Sequence, residues 1–325
     1  MNKTELTPEL QAQVDADLAP IRTQIDAVDA QLLTLLNERA KLAQQVGEVK
    51  QKYDQPVYRP ERESAVLEKI AQRNPGPLPT PQLQTLWREV MSVCRAMEEP
   101  VKVAYLGPAG TYTEQAMFKQ FGHAIVGVDC VTIYYIFHAV EADGATFGVV
   151  PIENSIEGAI NRTMDLLLNS PLRICAEVSL AIRHSLMHRT GDMAQVTTIV
   201  AHPQALAQCY GWLKQHYPNI EQKPVSSNAQ GARMAQESDA IACIAGDSAA
   251  MMYELQKVAV GIQDDANNRT RFVVLGKQVC SPSPADKTSL ILAAPNKAGS
   301  VFELIEPLAR HGVSMVRFES RPAKQ

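Results

Sequence analysis

Apolar residues at Ile21, Ile25, Val28, Leu32, Leu35, Leu42, Val46 and Val49 follow a 4-3-4-3 spacing, and Arg39 occupies the one seam position left over. No proline or β-branched run interrupts residues 21–49, and only Gly47 weakens them. The spacing predicts one long helix of coiled-coil type. After a break at Asp54-Gln55-Pro56, Pro60 sits where the first turn of a second helix begins, with Val66, Leu67 and Ile70 as its stripe. Beyond the proline-rich loop Asn74-Pro-Gly-Pro-Leu-Pro79, Thr80-Pro81 opens a third helix carrying Leu83, Leu86, Trp87, Val90, Val93 and Met97. Three helices of unequal length without a strand cannot bury much core alone, which predicts association.

Texture changes near residue 100. Residues 101–106 are strand-like and lead through Gly107-Pro-Ala-Gly110-Thr111 into a helix from about Thr113. Residues 147–152 repeat the plan, turning at Glu153-Asn154-Ser155 into a helix over about 158–168. Residues 240–245 do so again, through Gly246-Asp247 into a helix over 248–255, and Ser226-Ser227-Asn228 starts another. This strand–helix alternation, ending on a strand at 271–275, predicts an α/β segment of about 180 residues. Past the short linker Ser281-Pro-Ser-Pro284, a strand at 289–293, a helix at 300–310 and a strand at 314–319 are expected.

A length of 325 residues fits two or three domains, and these textures place them at 1–100, 101–280 and 285–325. The net charge of −4 lacks the basic excess of a nucleic-acid binder. No run approaches the ~18 apolar residues of a membrane span. Six cysteines lie singly and far apart, without a C-x-x-C spacing, and the N-terminus lacks a signal peptide's apolar core. Both features suit reduced thiols in the cytoplasm. His184-x-x-x-His188 has metal-ligand spacing but follows a strand-like run and lacks a third ligand nearby, so both are read as structural or surface histidines and no metal is expected. Gly107-Pro-Ala-Gly110 is neither a dinucleotide fingerprint nor a Walker loop, and no cofactor is implied.

Arg39 is the informative residue of the helical segment. It is either a snorkelling or ion-paired arginine or half of an anion site, because Lys50, eleven residues on, lies within ~20° in azimuth and about 16 Å along the axis. The heptads together with Tyr58-Arg-Pro-Glu-Arg-Glu63 resemble the all-helical chorismate mutases over about residues 10–99. That resemblance implies an intertwined dimer and assigns chorismate binding to Arg22, Arg39, Lys50, Arg59, Arg62, Glu63, Cys94 and Glu98, with Lys50 and Glu98 catalytic at the ether oxygen. Arg22 and Lys50 lie about 42 Å apart on one straight helix, so Arg22 must act from a second copy. Some relatives carry Ser, Gln and a carboxylate at positions 94, 98 and 59. Glu98 can donate to the ether oxygen only when protonated, so mutase activity should fall as pH rises.

The α/β segment carries Leu106-Gly-Pro-Ala-Gly-Thr-Tyr-Thr113, Val150-Pro-Ile-Glu-Asn-Ser155, Gly158-Ala-Ile-Asn161, His202-Pro-Gln204, Ser226-Ser-Asn-Ala229, Ala245-Gly-Asp247 and Thr270-Arg-Phe272. In this order they resemble prephenate dehydratase, which implies a two-lobed cleft of the periplasmic-binding-protein kind. Its implied catalytic residue is Thr270, with Thr111, Asn154, Ser155, Gln204, Ser226, Ser227 and Arg271 binding prephenate. Each of the neutral donors could equally be a cap or turn residue, and Arg271 could instead brace its strand. The whole arrangement resembles the bacterial bifunctional chorismate mutase/prephenate dehydratases of phenylalanine biosynthesis.

Asn296-Lys-Ala-Gly-Ser300 through Glu319-Ser-Arg-Pro322 resembles the start of an ACT domain, a ferredoxin-like α+β module. The resemblance makes Gly299, Glu319, Ser320, Arg321 and Pro322 a phenylalanine effector site. A βαββαβ unit needs roughly 70 residues, and the run after the linker is shorter. Phenylalanine inhibition is therefore expected to be weak or lost. Two alternatives stand beside this reading: a dehydratase half that prefers arogenate, and a non-catalytic sensor of small carboxylates.

Overall fold

The computed structural model describes residues 7–283 and 286–320. It divides into two compact units, one ending at Ser281 and the other beginning at Pro282. The first opens with helix α1 (Pro8–Lys52), followed by α2 (Pro60–Arg73) and α3 (Thr80–Ala96). Helix α1 begins thirteen residues before the predicted stripe. Thr7 caps it by accepting from Leu10 N, Pro8 occupies its first turn, and the helix continues through Pro20. No residue of α1 is buried; Ile25, Leu32 and Leu35 are 54%, 51% and 59% exposed. On α3 the stripe residues Leu86, Val93 and Met97 are exposed as well, while Met91, Ser92, Cys94 and Arg95 are buried.

The first lobe contains β1 (Lys102–Leu106), α4 (Tyr112–Phe121), β2 (Val126–Cys130), α5 (Ile133–Glu141), β3 (Phe147–Asn154), β4 (Gly158–Ala159), α6 (Asn161–Asn169) and β5 (Arg173–Ala181). The second contains β6 (Ser185–His188), β7 (Thr198–Ala201), α7 (Pro203–Gln208), α8 (Tyr210–His216), β8 (Glu221–Pro224), α9 (Asn228–Glu237), β9 (Ile241–Ala245), α10 (Asp247–Met252) and β10 (Gln256–Val260). Strand β11 (Arg269–Gly276) then returns to the first lobe, giving sheet orders β2-β1-β3-β11-β5 and β10-β6-β9-β7-β8. Strands read as continuous apolar runs because both faces are covered. In β11, Phe272 and Val274 enter one core while Val273 and Leu275 enter the other. In β9, Ala242 and Ile244 alternate in the same way with Cys243 and Ala245.

The chain crosses between lobes twice, and the crossings pair with each other: Ile182 N donates to Asn268 O at 2.8 Å and Ile262 N to His184 O at 2.9 Å. The predicted helix over 158–168 starts later, at Asn161, because Gly158 (φ +81°) and Ala159 pair with the end of β3 instead.

Tyr58, just before α2, is 2% exposed and lies in the first lobe's core with Phe121, Phe147 and Phe272. The helical segment is thus pinned to the lobe by a buried aromatic. Face-to-face packing continues at Gly122, the φ +72° residue ending α4, where a Cβ would stand 2.5 Å from Ser92 Cβ.

In the second unit, α11 (Ser300–Arg310) forms as expected. Residues 289–293 and 314–319, expected as strands, join no ladder among the described residues. An extended segment without a partner leaves its N–H and C=O groups to water and gains nothing from strand propensity. The ferredoxin-like expectation is therefore met by one helix only, and Arg321 and Pro322 lie outside the described residues.

Candidate active sites

Where α1 ends, Lys50 Nζ donates to Val57 O at 2.7 Å and to Glu98 Oε2 at 3.2 Å, in an ion pair whose side chains are largely shielded. Gly47 makes this approach possible: a Cβ there would stand 2.8 Å from Glu98 Cγ. The residue that weakened the helical pattern is thus the one that admits the glutamate. Glu63, in the first turn of α2, pairs with Arg95 of α3. Burial pushes its carboxyl above the ordinary carboxylate range, while Arg95, Arg88 and Lys50 pull against that rise.

Cys94 is buried, Arg39 half-buried, and Arg62 exposed. Arg22 is exposed and 4.0 Å from Asp15, so its nearby counter-charge is on its own helix, remote from Lys50 in sequence. Arg59 precedes the first turn of α2 and pairs with Glu61 at 3.1 Å. The structure therefore brings Lys50, Glu98 and Glu63 into one electrostatic neighbourhood, and leaves Arg22 and Arg59 engaged with other carboxylates.

In the α/β part, Thr270, the second residue of β11, lies opposite Asn154, the last residue of β3. Asn154 Nδ2 donates to Thr270 Oγ1 and to Asn268 Oδ1, both at 2.9 Å. Asn154 Oδ1 accepts from Ile156 N and Glu157 N at 3.0 and 3.2 Å, which locks the amide. Gln208 Oε1 continues the chain across the lobes, accepting from Asn268 Nδ2 at 3.0 Å and from His184 Nε2 at 2.9 Å. Tyr112 closes it, its hydroxyl 3.1 Å from His184 Nδ1. Burial pushes the Tyr112 hydroxyl up and holds His184 below its ordinary value. His184 and His188 are thus buried, hydrogen-bonded side chains, His188 through the Asp239 carbonyl at 3.1 Å.

The other expected prephenate residues divide. Thr111 caps α4 and donates to Leu106 O at 2.8 Å. Ser227 caps α9, and Ser226 Oγ donates to Gln230 Oε1 at 2.6 Å. Ser155 Oγ accepts from Arg269 N at 2.9 Å, and the Gln204 backbone N–H reaches His202 Nδ1. Ser226 and Ser227 also line a pocket with Pro108, Gln230, Arg233 and Tyr253. Arg271 pairs with Glu153 at 3.1 Å and lies 3.6 Å from Glu177, which favours the strand-bracing role over substrate contact. Sequence reasoning missed Arg95, Arg233, Gln208 and Asn268. None of these left a signal in the pattern: Arg95 lies off the predicted stripe of the third helix, and the buried face through Met91, Ser92 and Cys94 emerges only in the structure.

Two polar clusters in one chain, one among helices and one at the crossing between α/β lobes, define a two-site enzyme. Residues 21–99 match the family described as chorismate mutase type II, and residues 103–279 match prephenate dehydratase. Over 96% of the chain and 86% of the relative, it is 49% identical to the bifunctional chorismate mutase/prephenate dehydratase of Neisseria gonorrhoeae. To the enzyme of that description from Aquifex aeolicus it is 38% identical over 95% of the chain and 86% of the relative. The prephenate dehydratase of Arthrobacter aurescens, solved in complex with L-Phe, superposes with a TM-score of 0.62 at 31% identity, covering 68% of this chain and 76% of that one. The chain belongs to the bifunctional chorismate mutase/prephenate dehydratase family.

Proposed function

We propose that this chain converts chorismate to prephenate in its helices and prephenate to phenylpyruvate in its cleft, with a homodimer completing the first site. The exposed apolar stripe on α1 and the exposed Leu86, Val93 and Met97 on α3 support a second copy as their cover. Burying a Leu, Ile or Val contributes about 1.5–3 kcal/mol each, enough in sum to hold long helices together. Arg22 of the partner subunit then joins Arg39 and Arg62 around the two carboxylates of chorismate, for which arginine pairing is well suited.

The rearrangement is pericyclic and needs a held conformer with its developing charge stabilised. Lys50, held by the Glu98 carboxylate beside it, donates to the ether oxygen, and Glu63 accepts from the ring hydroxyl. Cys94 and Arg59 border the site. Biosynthesis of this kind places the enzyme in the cytoplasm, and among the described residues no helix is long and apolar enough to cross a membrane.

In the cleft, prephenate loses its ring hydroxyl and one carboxylate together as the ring becomes aromatic. The observation that carries the reading is the bond from Asn154 Nδ2 to Thr270 Oγ1. Because Thr270 accepts from a locked amide, its own hydrogen is directed away from that amide, to donate to the departing hydroxyl. Ser226, Ser227, Gln204, Thr111, Ser155 and Arg233 surround the carboxylates. Gly299, Glu319 and Ser320 belong in this reading to a phenylalanine effector site, although among the described residues the segments flanking α11 join no sheet.

Thr270→Ala is expected to lower phenylpyruvate formation about 10²–10⁴-fold and Thr270→Ser to retain most of it, with mutase turnover unchanged in both. The assay starts from chorismate and, in parallel, from prephenate and arogenate. Full dehydratase activity in Thr270→Ala removes the assignment; preferential formation of phenylalanine from arogenate makes arogenate, not prephenate, the substrate.

A further inference from the structure

Three side chains spaced i, i+3, i+6 on α3 close the end of α4. Glu89 Oε2 accepts from His123 N at 3.0 Å, Ser92 Oγ from Ala124 N at 3.1 Å, and Arg95 Nη2 donates to Phe121 O at 2.5 Å. Carbonyls at a helix C-terminus lack intrahelical donors and carry partial negative charge, so a guanidinium is well placed there. Arg95 is only 4% exposed, and its Cζ lies over the Tyr58 ring, 4.9 Å from the centroid. Gln120, one residue before Phe121, donates to the Tyr58 hydroxyl at 2.7 Å. The remaining arm, Nη1, holds Glu63 Oε1.

We infer that Arg95 is a positioning residue of the mutase site: fixed by Phe121 O of the dehydratase lobe and by Tyr58, whose ring is buried in that lobe's core, it holds Glu63 ionised and oriented toward the chorismate ring hydroxyl. The inference rests on the mutase reading above and on Glu63 as the hydroxyl's acceptor. It makes the dehydratase lobe a structural component of the other active site, since the guanidinium that orients Glu63 is itself oriented by a carbonyl of α4.

The charged groups facing Glu63 are Arg95 and Arg88 from α3 and Lys50 from α1, with the Tyr58 hydroxyl beside it. Burial raises the Glu63 carboxyl, and the nearest opposing charge is that of Arg95. Taking that charge away leaves Glu63 protonated to higher pH, where it accepts less well from the substrate.

The test measures mutase kcat and KM against pH in the full chain for wild type, Arg95→Gln, Arg95→Lys and Glu63→Gln. Dehydratase turnover from prephenate in each sample reports that the lobes are folded. Arg95→Gln is expected to lower mutase kcat/KM roughly tenfold or more at pH 7 and to move the acid limb of the profile upward. Arg95→Lys keeps the charge but not the two-armed geometry, so kcat falls while the limb stays near that of wild type. Glu63→Gln abolishes the limb.

Wild type without mutase activity refutes the functional reading itself. An active wild type with an unmoved profile in Arg95→Gln overturns the inference, whether turnover is retained or falls equally at every pH.

Discussion

Helix α1 buries none of its 45 residues within the chain, whereas β9 and β11 are buried on nearly every position. The same protein thus contains a long element whose apolar side chains await a surface and two sheets whose apolar side chains already have one. The difference follows from patterning. A 4-3-4-3 stripe covers one narrow face and matches another helix like itself, while continuous runs of Val, Ile, Ala and Phe require helices on both sides. It also divides the chemistry. The Thr270–Asn154–Asn268–Gln208–His184 chain is complete within one copy, and the chorismate site as proposed borrows an arginine from another.

The comparison breaks most decisively at the stripe. Leu35→Glu puts a charge without a partner into the proposed helix interface, a penalty of about 3–5 kcal/mol, and so should lower mutase turnover by roughly 100-fold or more. Dehydratase turnover should survive, and sedimentation should show a monomer. A dimer with full mutase activity would mean that α1 is not the shared surface.

A smaller effect is expected from Gly47→Ala, whose new methyl group meets Glu98 Cγ at 2.8 Å and must displace it from Lys50. Losing one charge-assisted contact should cost mutase kcat/KM about tenfold without touching the cleft. Equal losses in both activities would show a general disturbance instead.

The smallest effect sharpens the other side. Burial holds His184 below its ordinary value of 6.5, its bond to Gln208 only partly opposing this. The unfolded chain takes up this proton first on acidification. The stability contribution is full above that value and is lost progressively as pH falls below it. Denaturation followed by the fluorescence of Trp87 and Trp212 should show the midpoint falling on acidification below 6.5, and His184→Asn should flatten part of that slope. A slope unchanged in the variant would assign the acid sensitivity elsewhere.

Periodicity makes the long helix, the three-helix segment and the inner strands readable in the sequence, because each repeats one environment over many residues. The tail shows the limit of that logic. Residues 289–293 and 314–319 have strand-like composition, but a strand is a relation between two segments, and among the described residues neither finds its neighbour. Site residues divide along the same line. Motif residues such as Thr270 and Asn154 could be named individually, yet their partners Asn268 and Gln208 depend on contacts between residues 60 and 114 positions apart. Arg95 lies outside the apolar stripe predicted for the third helix, and only the end of α4 explains its burial.

Gly122 has a further consequence. The joint between the two enzymes is shaped there by a missing atom, with room for hydrogen alone between the end of α4 and Ser92. Exchanging the helical half for that of a relative is therefore a matter of surface fit as well as linker length. A transplanted third helix with any larger side chain at the Ser92 position would be lifted off its seat, and the graft would arrive with both domains intact but uncoupled.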